Sequence, residues 1–195
     1  MADTPAIAAP AGPAALPEVD PQSYREVLGR FATGVSVVTA LDDGEGQAQP
    51  WGTTVNSFTA VSLEPPLVLA CIGRERSIHP LIERTRRFGV NILGEDSQQL
   101  SDCFAGAPSP LPRSAFCNAP YTLSAAGLPL IDDATAFLAC DVDQVIPAGD
   151  HTIYLARVVE TTTCGDPGWP LLYFRRRYLR IERAATTDLL GKADR

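Results

Sequence analysis

The segment Trp51–Ile72, WGTTVNSFTAVSLEPPLVLACI, decides how the rest of the chain is read. It opens on a small polar patch, Gly52-Thr53-Thr54-Val55-Asn56-Ser57. It then passes Phe58 and the turn Glu64-Pro65-Pro66 and runs into six apolar residues, Leu67 to Ile72. A continuous apolar run behind a turn reads as a strand buried on both faces. The patch before it reads as another strand, starting near Trp51. Strand alternation sends some of its hydroxyls inward and others toward neighbouring strands. Such groups either cap and pair within a sheet or face a polar ligand.

Outward from this segment the chain keeps a β rhythm broken by short helices. Asp20-Pro21 is an N-cap followed by proline at the first helical position. Tyr24, Val27, Leu28 and Phe31 then fall at i, i+3, i+4 and i+7, one apolar helix face. GVSVVTA, residues 34–40, is β-branched and predicts a strand. LDDGEGQAQP is a charged, glycine-rich loop. SIHPLIERTRRF predicts a short helix, with Pro80 tolerable only in its first turn, and FGVNIL a strand. In SQQLSDCFA, Leu100, Cys103 and Phe104 share a helical face. A proline-rich loop follows from Pro108 to Pro120. ATAFLACDVDQVI and HTIYLARVVE are long β-type runs joined by a PAGD turn, and PLLYFRRRYLRI reads as a last strand. Strands joined by short turns, with two or three helices between, predict a mainly β fold, an antiparallel barrel with helical insertions. Residues 1–19, mostly Ala and Pro with no Lys or Arg, read as a disordered arm rather than a secretory or transit sequence. The folded domain is expected over residues 20–183, with a tail over 184–195.

Composition bounds the function. The chain has 195 residues and a formal net charge of -7, an acidic balance that disfavours nucleic acid. Lys192 is the only lysine. The five cysteines (Cys71, Cys103, Cys117, Cys140 and Cys164) are never closer than 14 residues, so no metal-binding or CxxC spacing exists. They read as reduced residues of a cytoplasmic protein, three of them in apolar patterns. With only His79 and His151, a three-histidine zinc site is impossible. No GxGxxG after a strand, no P-loop, no HExxH and no GxSxG is present. No run of 18 apolar residues indicates a membrane span.

FATGVSVVTA, GTTVNSFTAVSLEPPLVLACI, RRFGVNIL, GDHTIYLARVVE and PLLYFRRRYLRI occur in this order between Pro21 and Ile181. Together they resemble the flavin reductase-like, FMN-binding split-barrel family. More narrowly they resemble the short-chain flavin reductases that serve two-component monooxygenases. The resemblance implies a homodimeric split β-barrel that reduces FMN or FAD with NADH or NADPH and passes reduced flavin to a separate flavin-dependent monooxygenase.

The resemblance also assigns roles. Pro50, Trp51, Gly52, Thr53, Thr54, Asn56 and Ser57 would line the flavin ring and ribityl chain, with Cys71 on the adjoining strand. Ser77 and one of Arg74 or Arg76 would bind the phosphate ahead of a helix N-terminus, which favours anions. Ser101 and Phe104 match a second flavin-contacting helix; Phe104 suits a core position equally well. Tyr173 and Arg175 fall in the final motif. Gly149-Asp150-His151 matches a GDH signature, where Asp150 and His151 would meet the nicotinamide cofactor. Hydride passes directly between the two rings, so His151 need only orient them rather than transfer a proton.

Ala156 and the triplet Arg175-Arg176-Arg177 depart from positions where glycine is common. The methyl of Ala156 is expected to narrow the cleft, and the arginines to bind an anionic cofactor or pair with acidic loops. Two further functions stay open on sequence alone. One is an FMN-holding oxidoreductase acting on an organic substrate; the other is a flavin-binding protein without turnover.

Overall fold

A computed structural model of the chain describes residues 18–44, 46–112, 114, 116–163 and 168–181. The arm at 1–17, the tail from 182 and Cys164 lie outside the described residues. Among the described residues, three helices and twelve strands follow one another along the chain. In chain order they are α1 (Pro21–Leu28), β1 (Thr33–Gly34), β2 (Ser36–Asp42), β3 (Gln49–Val55), β4 (Thr59–Ser62), β5 (Leu67–Gly73), α2 (Ile78–Thr85), β6 (Arg87–Leu93), α3 (Gln98–Ala105), β7 (Tyr121–Leu123), β8 (Pro129–Ile131), β9 (Ala134–Ala148), β10 (His151–Thr163), β11 (Leu172–Phe174) and β12 (Arg177–Leu179).

Seven strands form one antiparallel sheet in the order β3-β2-β6-β9-β10-β5-β4. Its centre, β2 and β6, is buried on both faces. Val38, Ala40 and Val90 enter a core with Val68, Ala70, Ile72, Phe88 and Tyr154, while Val37 packs on the other side with α3. Asn91 pins this region. Its side-chain nitrogen donates to the Val37 carbonyl and Thr39 Oγ1, and its Oδ1 accepts from the Ile131 amide. Filling every polar valence of a buried amide removes a desolvation cost of about 1–3 kcal/mol. A second sheet, β1-β11-β12, and the hairpin β7-β8 flank the large one.

Five expectations are corrected. Strand β5 is not buried on both faces: Val68, Ala70 and Ile72 are in the core, but Leu67, Leu69 and Cys71 are only half-buried. The last motif is not one strand but the hairpin β11-β12. Arg175 and Arg176 turn it with φ of 49° and 61°, a conformation usually left to Asn or Gly, and the Arg175 amide donates to the Gly29 carbonyl at 2.7 Å. The β9-β10 turn is only Gly149-Asp150, with Pro147 and Ala148 still in β9. Helix α1 starts as expected, with Asp20 accepting from the Ser23 amide at 2.8 Å, but it ends at Leu28, so Phe31 lies beyond it. Its apolar residues, however, are solvent-exposed in the single chain rather than buried. Finally, Cys103 and Cys117 are joined as a disulfide, while Cys71 and Cys140 are free.

No helix among the described residues is long and apolar enough to cross a membrane. No cluster of His, Cys, Asp or Glu among them could hold a metal ion.

Candidate functional site

Strand alternation on β3 sorts the polar patch. Gly52 and Thr54 face α3; Thr53 and Val55 are buried. A Cβ added at Gly52 would lie 2.5 Å from Phe104 Cε1, so the absence of a side chain lets the ring lie against the strand. Thr54 Oγ1 donates to the Ser101 carbonyl at 2.6 Å, and Ser101 Oγ lies 2.9 Å from the Tyr178 hydroxyl. Burial raises the Tyr178 pKa, partly opposed by the Ser101 hydrogen bond, so the phenol stays neutral. Ser57 Oγ donates to the Cys71 carbonyl at 3.0 Å and accepts from its amide. The hydroxyls of Thr54, Ser57 and Ser101 are therefore already engaged inside the chain.

Trp51, Gly52, Thr53, Arg76, Ser77 and Phe104 line one cavity of about 190 Å³, together with Ile78, Gly106 and both disulfide cysteines. Ser77 caps α2 without a side-chain hydrogen bond to its backbone, leaving that hydroxyl and the helix N-terminus for an anion. Arg76 reaches across to the end of α3, where Nη1 donates to the Ala105 carbonyl at 3.2 Å. The Arg74 amide donates to the Asp150 carbonyl at 3.1 Å, which ties the phosphate-type loop to the β9-β10 turn.

His151 opens β10 opposite Gly73. Its Nδ1 lies 2.7 Å from Asp150 Oδ1. That bond lowers the Asp150 carboxyl below its usual range. An Nδ1–H donor to Asp150 leaves Nε2 as the free acceptor, beside Gly73.

Asn56 and Ser57 line a second cavity, about 470 Å³, with Phe31, Thr33, Phe58 and Ile92. Sequence reasoning missed Thr33, Phe58 and Tyr178. Thr33 Oγ1 is a buried polar atom with no hydrogen-bond partner among the described residues. Arg175 lies apart, in a cavity with Arg25, Gly29, Arg30 and Arg176, and stacks over Phe174 at 5.3 Å. Tyr173 packs edge-on against Tyr178 behind α3. Pro50 pairs with Leu41 at the start of β3. Ala156 does not enter a cleft: it is fully buried among Val68, Ile72 and Tyr154 in the core. His79 is structural, with Nε2 2.8 Å from Thr152 Oγ1. Another cavity, about 510 Å³, is lined by Glu95, Asp96, Leu100, Asn118, Asp133 and Trp169 among others and holds none of the expected residues.

One cavity brings Arg76, Ser77 and the α2 N-terminus together with Trp51 and Phe104, and the Arg74–Asp150 backbone bond links the β5-α2 loop to the turn that carries His151. Comparison with known proteins agrees in kind. Residues 28–182 match the flavin reductase like domain. An NADH-dependent flavin reductase of a Rhodococcus species is 38% identical over 166 residues, which is 85% of this chain and 89% of that protein. The reductase subunit HsaB of a flavin-dependent monooxygenase from Rhodococcus jostii is 36% identical over 183 residues, 94% of this chain and 89% of that protein. The solved Streptomyces globisporus NADH:FAD oxidoreductase SgcE6, in complex with NAD and FAD fragments, superposes with a TM-score of 0.73 at 33% identity, covering 87% of this chain and 99% of that one. The chain therefore belongs to the flavin reductase-like domain family.

Proposed function

We propose that this chain is an NAD(P)H:flavin oxidoreductase of the cytoplasm. It takes FMN or FAD and NADH or NADPH as ligands and supplies reduced flavin to a separate flavin-dependent monooxygenase. The observation that carries the reading is the convergence of Trp51, Gly52, Thr53, Arg76, Ser77 and Phe104 on one cavity in a chain of this family. The flavin, when bound, supplies the hydride acceptor.

The protein's own contribution is binding and orientation. Ser77, the α2 N-terminus and the arginines of the β5-α2 loop hold the phosphate. Trp51 and Phe104 form the apolar wall, and the bare Cα of Gly52 permits close approach. The 190 Å³ cavity is below the roughly 300–1,000 Å³ of usual ligand pockets, so it suits the phosphate and ribityl end. Asn56 and Ser57, just past the end of β3 and lining the neighbouring cavity, would hold the ring. Asp150 holds the His151 ring, whose Nε2 accepts from the nicotinamide carboxamide. No protein acid or base is required.

The working unit is the split-barrel homodimer formed by residues 20–183, and the exposed apolar face of α1 supports a partner subunit there. The test is loss of absorbance at 340 nm with NADH or NADPH, each paired with FMN or FAD. Turnover that requires added flavin is expected; flavin binding without NAD(P)H oxidation would refute the assignment.

A further inference from the structure

The disulfide lies in the wall of the flavin cavity rather than in a remote staple position. Cys103 is the α3 residue before Phe104, and both Cys103 and Cys117 line the cavity with Trp51, Gly52, Arg76 and Ser77. Cys117 also faces the acidic cavity behind, so it forms part of the partition between the two. The segment between the cysteines carries Pro108, Pro110 and Pro112, and no helix or strand is described between Gly106 and Pro120. Besides the bond, it is anchored by Phe116, packed edge-on between Phe104 at 5.2 Å and Tyr121 at 5.1 Å, by Leu111 against the same core, and by Ser109 Oγ, which donates to the Gln99 carbonyl at 2.9 Å. Cys117 and Asn118 sit in left-handed backbone, φ 54° and 51°, in a turn whose amides donate to the Ser114 carbonyl and hydroxyl.

We propose that the Cys103–Cys117 bond is a thiol-exchange switch that sets flavin affinity by fixing this wall against α3. The proposal rests on the flavin assignment of the cavity. An external dithiol supplies the reductant: one thiolate attacks a sulfur of the bond, the S–S bond breaks and a mixed disulfide forms. The second thiolate then closes the dithiol into its own disulfide. Cys103 and Cys117 are left as two thiols, with two electrons and two protons delivered by the dithiol. Breaking the bond frees a 14-residue closure whose entropy had restrained the wall. Linkage is reciprocal, so whatever reduction takes from flavin binding, bound flavin returns as protection of the bond.

The experiment titrates FMN fluorescence with the full-length protein, oxidised or treated with dithiothreitol, and with Cys117→Ser. Non-reducing peptide mapping follows the bond's reduction rate with and without FMN. The expected result is an FMN Kd raised by reduction within the roughly 5- to 150-fold range of coupled sites. Cys117→Ser should match the reduced protein, ignore dithiothreitol and keep a native near-ultraviolet circular dichroism spectrum. FMN should slow reduction of the wild-type bond. Equal FMN affinity in both redox states, or a reduction rate indifferent to FMN, overturns the switch while leaving the flavin assignment standing. Failure of both redox states to bind either FMN or FAD overturns both.

Discussion

Replacing Gly52 by alanine tests whether the approach of β3 to α3 builds the site. The new Cβ would lie 2.5 Å from Phe104 Cε1 and 2.8 Å from Cδ1, well inside contact distance. The ring cannot simply retreat, because Phe116 packs on it and Cys103 beside it is cross-linked. Overpacking of this kind costs about 1–3 kcal/mol. Glycine-to-alanine replacement returns about 0.4–1 kcal/mol by restricting the unfolded chain. Strain matches or exceeds that gain, leaving a net loss of up to about 2.6 kcal/mol, or a Tm lower by up to roughly 10 °C for a chain of this size. Strain that stays in the free folded protein is common to both sides of a binding comparison; only the part relieved by moving the ring opposes a ligand that needs it in its native place. At about 1.4 kcal/mol per tenfold change, flavin Kd should rise by up to roughly 150-fold. Scanning calorimetry and flavin fluorescence titration measure the two effects. In a Phe104→Ala background the same substitution should cost little, since coupled neighbours are not additive. A Gly52→Ala protein with unchanged Tm and Kd, or effects strictly additive with Phe104→Ala, would refute the reasoning.

Four other expectations follow from the geometry. Arg76→Ala should weaken FMN binding roughly 10- to 150-fold, the loss of a charge-assisted contact, yet leave riboflavin, which lacks the phosphate, unaffected; equal losses for both would remove Arg76 from the phosphate. His151→Ala should raise KM for NAD(P)H far more than the Kd for flavin, and a variant that changes neither would show the assigned role to be wrong. Thr33→Val replaces an unpartnered buried hydroxyl by a methyl group and should stabilise the ligand-free chain by about 1–3 kcal/mol, read as a higher Tm; a lower Tm would mean the hydroxyl has a partner in the working protein. Burial, helped by the Asp141 carboxylate, pushes the Cys140 thiol up to about 12, so its thiolate is scarce until the pH approaches that value. Iodoacetamide at pH 8.5 should therefore label half-buried Cys71 in the native protein long before Cys140, and labelling of both at one rate would contradict this.

The local signals proved readable wherever one element decides its own form. Asp20-Pro21 starts α1, the spacing of Leu100, Cys103 and Phe104 orients α3, and the β-branched run through Val37 and Val38 makes β2. Pro80 falls in the first turn of α2, as its missing amide requires. Two residues of the polar patch ahead of β5, Gly52 and Thr53, line one cavity, and two others, Asn56 and Ser57, line another. The patch's individual hydroxyls could not be apportioned, because the partners of Thr54 and Ser57 lie 47 and 14 residues away. Tyr178 was passed over for the same reason: its bond to Ser101 spans 77 residues.

The sequence by itself determined the helices, most of the strands, the family and the loop carrying Ser77 and Arg76, since periodicity, caps and ordered motifs are local. Only the tertiary structure decided four other things: the half-buried face of β5, the reversal at Arg175-Arg176, the union of Cys103 with Cys117, and the placing of Thr33 without a partner among the described residues. Each depends on which distant segments meet. That is set by the balance of buried surface against loop-closure entropy over the whole chain, and no window of sequence contains it.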